Sequence, residues 1–150
     1  MKSPGCPLCE GPGGAIVFQG DRFRVIRSAE AGLPAFYRLV WSAHVREFSD
    51  LAPADRHLCI DAVACVEEAL RRHLDPVKLN LATLGNAVPH LHWHIVARFE
   101  WDSHFPGAPW AAAQRQVAPE AQARIEALLP PLEADIAARL AALPGNRTAT

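Results

Sequence analysis

The sequence contains no long run of apolar residues. No stretch approaches the roughly 18 consecutive apolar residues that a membrane-spanning helix needs. The opening segment, MKSPGCPLCEGPGG, also lacks the apolar core of a secretory signal peptide. We therefore expect a soluble, cytoplasmic protein without a membrane partner.

An excess of charge of either sign is also missing. The formal net charge at pH 7 is −1 over 150 residues. An overall positive field that would attract DNA or RNA is therefore lacking, and we expect no nucleic-acid partner. Because 50% of the residues are hydrophobic and 21% are charged, the chain is suited to fold as one domain around its own core.

Cysteine is scarce, with four residues in the chain. In a reducing compartment we do not expect them to form disulfides. Cys59 and Cys65 fall in a helical pattern and are interpreted as small buried side chains. Cys6 and Cys9 lie in a segment rich in Gly and Pro, where the pair supplies half of a tetrahedral zinc site or, equally well, two reduced thiols in a loop.

The pattern of apolar residues predicts an α+β domain with a five-stranded antiparallel sheet. A helix is predicted from Pro53 to about His73, because apolar residues recur on one face and Pro is favoured in a first turn. It lies between the third and fourth of five predicted strands. These strands cover residues 15–19, 23–28, 36–42, 77–84 and 90–99.

The end of the chain differs in composition from the rest. It is rich in Ala and predicts one or two helices, interrupted by Pro130 and Pro131, that pack on the body of the protein or on a partner. We interpret residues 1–112, with the N-terminal Cys-x-x-Cys knuckle, as the main part of the domain. Residues 113–150 are then a helical extension of the same domain.

Three histidines, His90, His92 and His94, stand at every second position of the fifth predicted strand. Because successive strand residues point to opposite faces, the three imidazoles should share one face of the sheet. The apolar residues between them should meet the core, so that the imidazoles point into a polar site. A solvated surface rich in histidine is the simpler explanation for one histidine, but not for three in register.

Two kinds of chemistry use histidines in this arrangement. Either the imidazoles bind a catalytic zinc ion, or one neutral imidazole is a nucleophile that attacks phosphorus. Asn80, Gly85 and Asn86 precede the histidines, and their amide and backbone N–H groups are suited to bind phosphate oxygens. The segment has no acidic residue before Glu100, which favours phosphate chemistry over a metal-activated water. Arg98 is open to two interpretations, a phosphate contact or a surface ion pair.

The segment HLHWHIV at 90–96 resembles the signature of the histidine triad (HIT) family, His-φ-His-φ-His-φ-φ, in which φ is apolar. Asn80 precedes it, and Gly85-Asn86 stands where the family has Gly-Gln. WSAHVREFSDL at 41–51 is similar to the family's Pro-Lys-x-His stretch, and CPLC at 6–9 to the N-terminal Cys-x-x-Cys of many bacterial members. The resemblance extends over about residues 6–99.

This resemblance implies a nucleotide hydrolase or nucleotidyl transferase that acts at an α-phosphate of dinucleoside polyphosphates, phosphoramidates or AMP conjugates. His92 would be the nucleophile that carries a covalent nucleotidyl group, and His90 and His94 would complete the catalytic triad. The chemistry would require no cofactor, and members commonly form homodimers. The substrate-binding residues would be Asn80, Gly85, Asn86 and His94.

The resemblance also implies a set of ligands for a structural zinc ion, namely Cys6, Cys9, His44 and His90. Such an ion would tie the N-terminal knuckle to the edge of the site and leave the middle histidine free. Two alternatives stay open: a zinc hydrolase ligated by the triad itself, and a nucleotide-binding protein without catalysis. In the loop at 100–112, Trp110 or Phe105 would stack on a base if that loop covers the substrate.

Overall fold

The computed structural model describes residues 2–146 of the chain. In chain order its elements are α1 (Pro7–Glu10), β1 (Ala15–Gln19), β2 (Phe23–Arg27), β3 (Phe36–Trp41), a short 3₁₀ helix (Phe48–Asp50), α2 (Pro53–Leu74), β4 (Lys78–Ala82), β5 (His92–Arg98), α3 (Pro119–Glu126) and α4 (Leu129–Ala141). The strands form one antiparallel sheet in the order β1-β2-β3-β5-β4, which confirms the predicted α+β class. None of the helices in the described part of the chain combines the length and apolar character needed to cross a membrane.

Helix α2 covers one face of the sheet and builds the core. It begins at Pro53, whose fixed φ and missing N–H suit the first helical position. It ends before Asp75, which adopts a left-handed conformation with φ of 45°. The buried face of α2 meets apolar side chains of the central strands β3 and β5, such as Leu39 and Ile95. The buried helix residues include Leu58, Ala62, Val66, Ala69 and Leu70.

The C-terminal helices belong to the same core. Leu132, Ile136 and Leu140 on α4 are fully buried, where α4 packs on α2 and β1. The structure has two helices here, and the break between α3 and α4 falls at residues 127–128, just before Pro130 and Pro131, which both lie in the first turn of α4. The first helical turn has no internal partner for its N–H groups, so proline is tolerated there.

Strand β5 begins at His92, two residues later than predicted. The N–H of His90 donates to the carbonyl of Val88 over 2.8 Å, in a tight turn with Pro89 at its centre. The next residue, Leu91, donates its N–H to the carbonyl of Val45 after β3, and its own carbonyl accepts from the N–H of Trp41 at the end of β3. Alternation therefore holds within the strand, but the first histidine of the motif lies outside it.

Candidate functional site

His92 and His94 line a pocket of about 590 Å³ on the sheet face opposite α2. The floor is formed by β3 and β5, and the N-terminal knuckle closes one side. The loop between β4 and β5 and the side chain of Trp110 complete the walls. The lining residues are Pro7, Leu8, Gly13, Arg38, Leu84, Gly85, Asn86, Ala87, Val88, His92, His94 and Trp110.

The ring of His92 is held by a backbone contact of its own strand segment. Its Nδ1 lies 2.6 Å from the carbonyl oxygen of His90, a distance at which Nδ1–H donates to that oxygen. The proton on Nδ1 leaves the lone pair on Nε2. Burial lowers the pKa of His92, and the nearby Arg38 charge contributes to the same direction. The imidazole is thus oriented and kept neutral.

His94 lies next to His92, with 5.0 Å between the ring centres. Burial lowers the pKa of His94 to about 4, and the positive charge that His92 carries when it is protonated and the charge of Arg38 act in the same direction. Its ring contacts Phe36 and Trp110 edge-on, at 5.6 and 5.0 Å between ring centres. His94 is therefore a neutral polar group in the same pocket at ordinary pH.

His90 does not share this pocket. Its ring lies beside the N-terminal knuckle, where its Nδ1 is 3.4 Å from the sulfur atoms of both Cys6 and Cys9. The sulfur of Cys9 is also 3.4 Å from Nδ1 of His44. The Nε2 of His90 lies 2.7 Å from the carbonyl of Trp41, so that Nε2–H donates and Nδ1 stays free to bind a metal.

These side chains fit a tetrahedral zinc ion. The four ligand atoms of Cys6, Cys9, His44 and His90 all lie within 4.8 Å of one another. Zinc bonds of about 2.3 Å to sulfur and 2.0 Å to nitrogen place the two ligand types about 3.5 Å apart in a tetrahedron, close to the observed 3.4 Å. The guanidinium of Arg24 holds the knuckle by donating to the carbonyls of Leu8, Gly11 and Pro12.

The loop between β4 and β5 brings Gly85 and Asn86 to the pocket, as the motif predicts. Gly85 has φ of 75°, a left-handed conformation that favours glycine. Asn80 also lies on the histidine face of the sheet, since it pairs with Val96 on β5. Its side chain does not reach the pocket, because its Oδ1 accepts a hydrogen bond from Arg98 over 2.6 Å.

Arg98 forms a buried network in place of the surface ion pair or phosphate contact considered from the sequence. Its guanidinium donates to both carboxylate oxygens of Asp102, over 2.8 and 3.1 Å, and to the carbonyl of Gly107. Burial alone would raise the pKa of Asp102, but hydrogen bonds from Arg98 and the backbone lower it overall. The network fixes the loop after β5, and that loop places Trp110 beside His94. The carboxylate also accepts hydrogen bonds from the backbone N–H groups of Phe99, His104 and Phe105.

Sequence reasoning missed two residues that matter here. Asp102 lies in an irregular loop, and only its spacing of four residues from Arg98 could have suggested a pair. Arg38 stands in a strand without any motif, and its place in the pocket depends on the register between β3 and β5. Phe105 is not among the described residues that line the pocket, and the guanidinium of Arg98 lies over its ring.

Several known structures that resemble this chain are histidine triad proteins. One from Bradyrhizobium japonicum is 25% identical, covers 90% of this chain and 98% of its own, and gives a TM-score of 0.72. One from Marinobacter aquaeolei is 25% identical, with coverage of 84% and 93% and a TM-score of 0.66. A zinc-bound family protein from Mycobacterium smegmatis shares the fold at 19% identity, with coverage of 86% and 94% and a TM-score of 0.53.

A search of curated proteins finds no match to the chain. The model of the HIT domain family, in contrast, matches residues 13–101, which is more than half of the sequence. This match includes the three histidines and the strands that position them. The chain therefore belongs to the HIT domain family.

Proposed function

We propose that the protein is a nucleotide hydrolase or nucleotidyl transferase that acts at an α-phosphate through a covalent nucleotidyl group on Nε2 of His92. The observation that carries this proposal is the 2.6 Å contact between Nδ1 of His92 and the carbonyl of His90, at a ring that lines a pocket. A neutral imidazole with its lone pair on Nε2 is a nucleophile at pH 7. Membership in the HIT domain family supports a function of this class.

The proposed reaction consists of two displacements at phosphorus. In the first, the Nε2 lone pair of His92 forms a bond to the α-phosphorus, and the bond to the bridging atom breaks with its electron pair on the leaving group. The positive ring that results keeps its Nδ1–H on the His90 carbonyl. In the second, a water oxygen bonds to phosphorus and releases a proton to solvent, while the N–P pair returns to His92. Two smaller barriers replace one large barrier.

Residues around the pocket are suited to hold the phosphate. Gly85 and Asn86 offer backbone N–H and amide donors from the loop between β4 and β5. His94 contacts a phosphate oxygen or the leaving group from its place beside the nucleophile. Asn80 would reach phosphate only after releasing Arg98, so we assign it chiefly to positioning that arginine.

We also propose that Cys6, Cys9, His44 and His90 hold a structural zinc ion. The donor types and spacings support this assignment, and the fold neighbour from Mycobacterium smegmatis is zinc-bound. The ion would supply rigidity and no Lewis-acid chemistry, because the ring of His92 lies outside the ligand set. It would fix His90, whose carbonyl orients the nucleophile.

A homodimer that pairs through β4 is the assembly we propose. β4 is an edge strand, and within residues 2–146 no strand pairs with its outer backbone groups. Leu81 on this strand is 41% exposed and Leu84 beyond it is 48% exposed. A second copy would cover both. Light scattering should give twice the chain mass of 16.3 kDa, and a mass of one chain would contradict the proposal.

Two other functions were considered from the sequence. A zinc hydrolase ligated by the triad needs the rings of His92 and His94 in one metal cluster, but the cluster found within residues 2–146 includes neither. A binding protein without catalysis would keep the pocket and bind nucleotide without turnover. The assignment of His92 as nucleophile is favoured by its neutral, oriented ring.

Turnover of diadenosine tetraphosphate and of an adenosine phosphoramidate tests the proposed function. His92→Ala should lower the rate of AMP release by a factor of roughly 1,000 or more, without loss of zinc or of nucleotide binding. A wild-type protein that binds these compounds without cleaving them would support the binding function instead. Loss of zinc in His92→Ala would support the zinc hydrolase.

A further inference from the structure

Among the pocket-lining residues that the structure describes, Arg38 is the only one with a charged side chain. It lies on β3 directly opposite His94 on β5, so the two side chains share one face of the sheet. The centre of its guanidinium is 5.6 Å from the ring centre of Phe36, and that ring contacts His94 edge-on. A positive charge therefore lies beside His94, on the β3 side of the pocket.

The guanidinium of Arg38 makes few hydrogen bonds to other groups of the described protein. A guanidinium has five N–H donors, yet within residues 2–146 this one makes a single long hydrogen bond, 3.3 Å from Nη2 to Oε1 of Glu30. Its Nε is buried and has no partner. The side chain of Glu30 is 39% exposed and also accepts a hydrogen bond from the hydroxyl of Ser28. The side chain of Arg38 is 24% exposed overall, but a buried N–H without a partner is costly, which points to a ligand that bonds to it.

The two sides of the pocket differ in the donors they offer. Gly85 and Asn86 approach His92 from the loop between β4 and β5, and they carry no charge. Arg38 approaches from the opposite side of β5, next to His94. A chain of phosphates that crosses β5 would place one phosphate at His92 and the following phosphate near the guanidinium.

We propose that Arg38 is a substrate-binding residue that holds an anionic phosphate of the leaving group, while the attacked phosphate is held at His92. This inference rests on the proposed function and concerns a residue outside the histidine motif. When the bridging P–O bond breaks, its electron pair stays on the departing phosphate oxygen, and the guanidinium neutralises that charge. The site then selects substrates with a phosphate leaving group over phosphoramidates, whose leaving group is an amine.

Binding measurements in a variant that cannot cleave the nucleotide test this proposal separately from the proposed reaction at His92. In full-length His92→Ala, calorimetry without magnesium compares AMP, which has one phosphate, with ATP, which carries two more. Adding Arg38→Gln should weaken ATP binding by roughly 10- to 100-fold, the size of a charge-assisted hydrogen bond, and AMP binding by less than about 3-fold. Arg38→Lys should restore part of the ATP affinity, since it restores the charge.

A matched control is Arg22→Gln, which removes an arginine that pairs with Asp55 outside the pocket and should change neither affinity. The affinity for ATP should also fall with added salt more steeply with Arg38 present than without it. Equal losses for AMP and ATP in Arg38→Gln, no loss for either, or no ATP binding to the parent variant would each overturn the proposal. Failure of the His92 chemistry alone would leave these binding results unchanged.

Discussion

The Nδ1 of His92 lies 2.6 Å from the backbone oxygen of His90, and the ring of His90 lies 3.4 Å from the sulfur atoms of Cys6 and Cys9. One residue therefore takes part in both halves of the site. Its side chain belongs to the cluster of metal-binding groups, and its backbone orients the neighbouring imidazole. A change at the N-terminal knuckle is expected to reach the pocket through this residue.

Substitutions in the N-terminal knuckle should lower the zinc content of the protein, whereas substitutions in the pocket should not. Elemental analysis should find one zinc ion per chain in the wild type and in His94→Ala, but much less in Cys9→Ser. Cys65→Ser is the matched control, because that thiol lies on α2 outside the cluster. Zinc at a hundredfold excess over its Kd stabilises the folded state by roughly 3 kcal/mol, so chelation should lower Tm by about 6–12 °C. Loss of zinc from His94→Ala would contradict this assignment.

His94 should stay neutral well below the ordinary pKa of histidine. NMR titration of its ring should give a midpoint near the value of about 4, compared with about 6.5 for an exposed histidine. Because the pKa of His94 is lower in the folded protein than in the unfolded chain, the unfolded chain binds more protons between about pH 4 and pH 6.5. The contribution of His94 to the free energy of unfolding is therefore complete above about pH 6.5 and is lost as the pH falls towards 4. A titration midpoint of the His94 ring above pH 6 would show that burial and neighbouring charges do not lower its pKa.

The buried pair of Arg98 and Asp102 should be essential for stability. Arg98→Met leaves the carboxylate buried, with side-chain exposure of 0%, and without its cation. We expect a loss of roughly 3–5 kcal/mol in the free energy of unfolding, measured by urea denaturation. The control Arg46→Met removes a pair with Glu47 whose side chains are 74% and 66% exposed, and it should cost less than about 0.5 kcal/mol. Similar losses in the two variants would disprove the structural role of the network.

Trp110 should contribute to nucleotide binding as a stacking surface. Its side chain is 49% exposed and lies edge-on to His94 at the mouth of the pocket. Trp110→Ala should weaken AMP binding by about 1–3 kcal/mol, the usual range for a base stacked on an aromatic ring, whereas Trp110→Phe should keep most of the affinity. Calorimetry on the two variants measures the difference. An unchanged Kd in Trp110→Ala would show that the base lies elsewhere.

Much of the fold was predictable because its signals are local. Pro53 marks the start of α2, and the apolar residues that follow it at helical spacing face the core. Alternation between His92 and Ile95 likewise separates the pocket face of β5 from the core face. Each of these patterns depends on neighbours within one element.

The features that could not be predicted depend on distant partners. The ring of His90 faces the knuckle because it contacts the carbonyl of Trp41 and the two N-terminal sulfurs. These partners are distant in sequence, so the alternation of strand residues could not predict them. An arginine at the end of a strand is expected at the surface. Arg98 is buried because the loop after β5 folds back over it and supplies the carboxylate of Asp102. Its position also explains why Asn80 is turned away from the pocket.

Intact-protein mass spectrometry after brief mixing with diadenosine tetraphosphate or an adenosine phosphoramidate tests the role of His92 most directly. The account predicts that the wild type gains the mass of one AMP, that peptide mapping places this group on His92, and that His92→Ala, still folded by circular dichroism, gains none. An adduct that persists in His92→Ala, or turnover of these compounds without any adduct on the wild type, would contradict it.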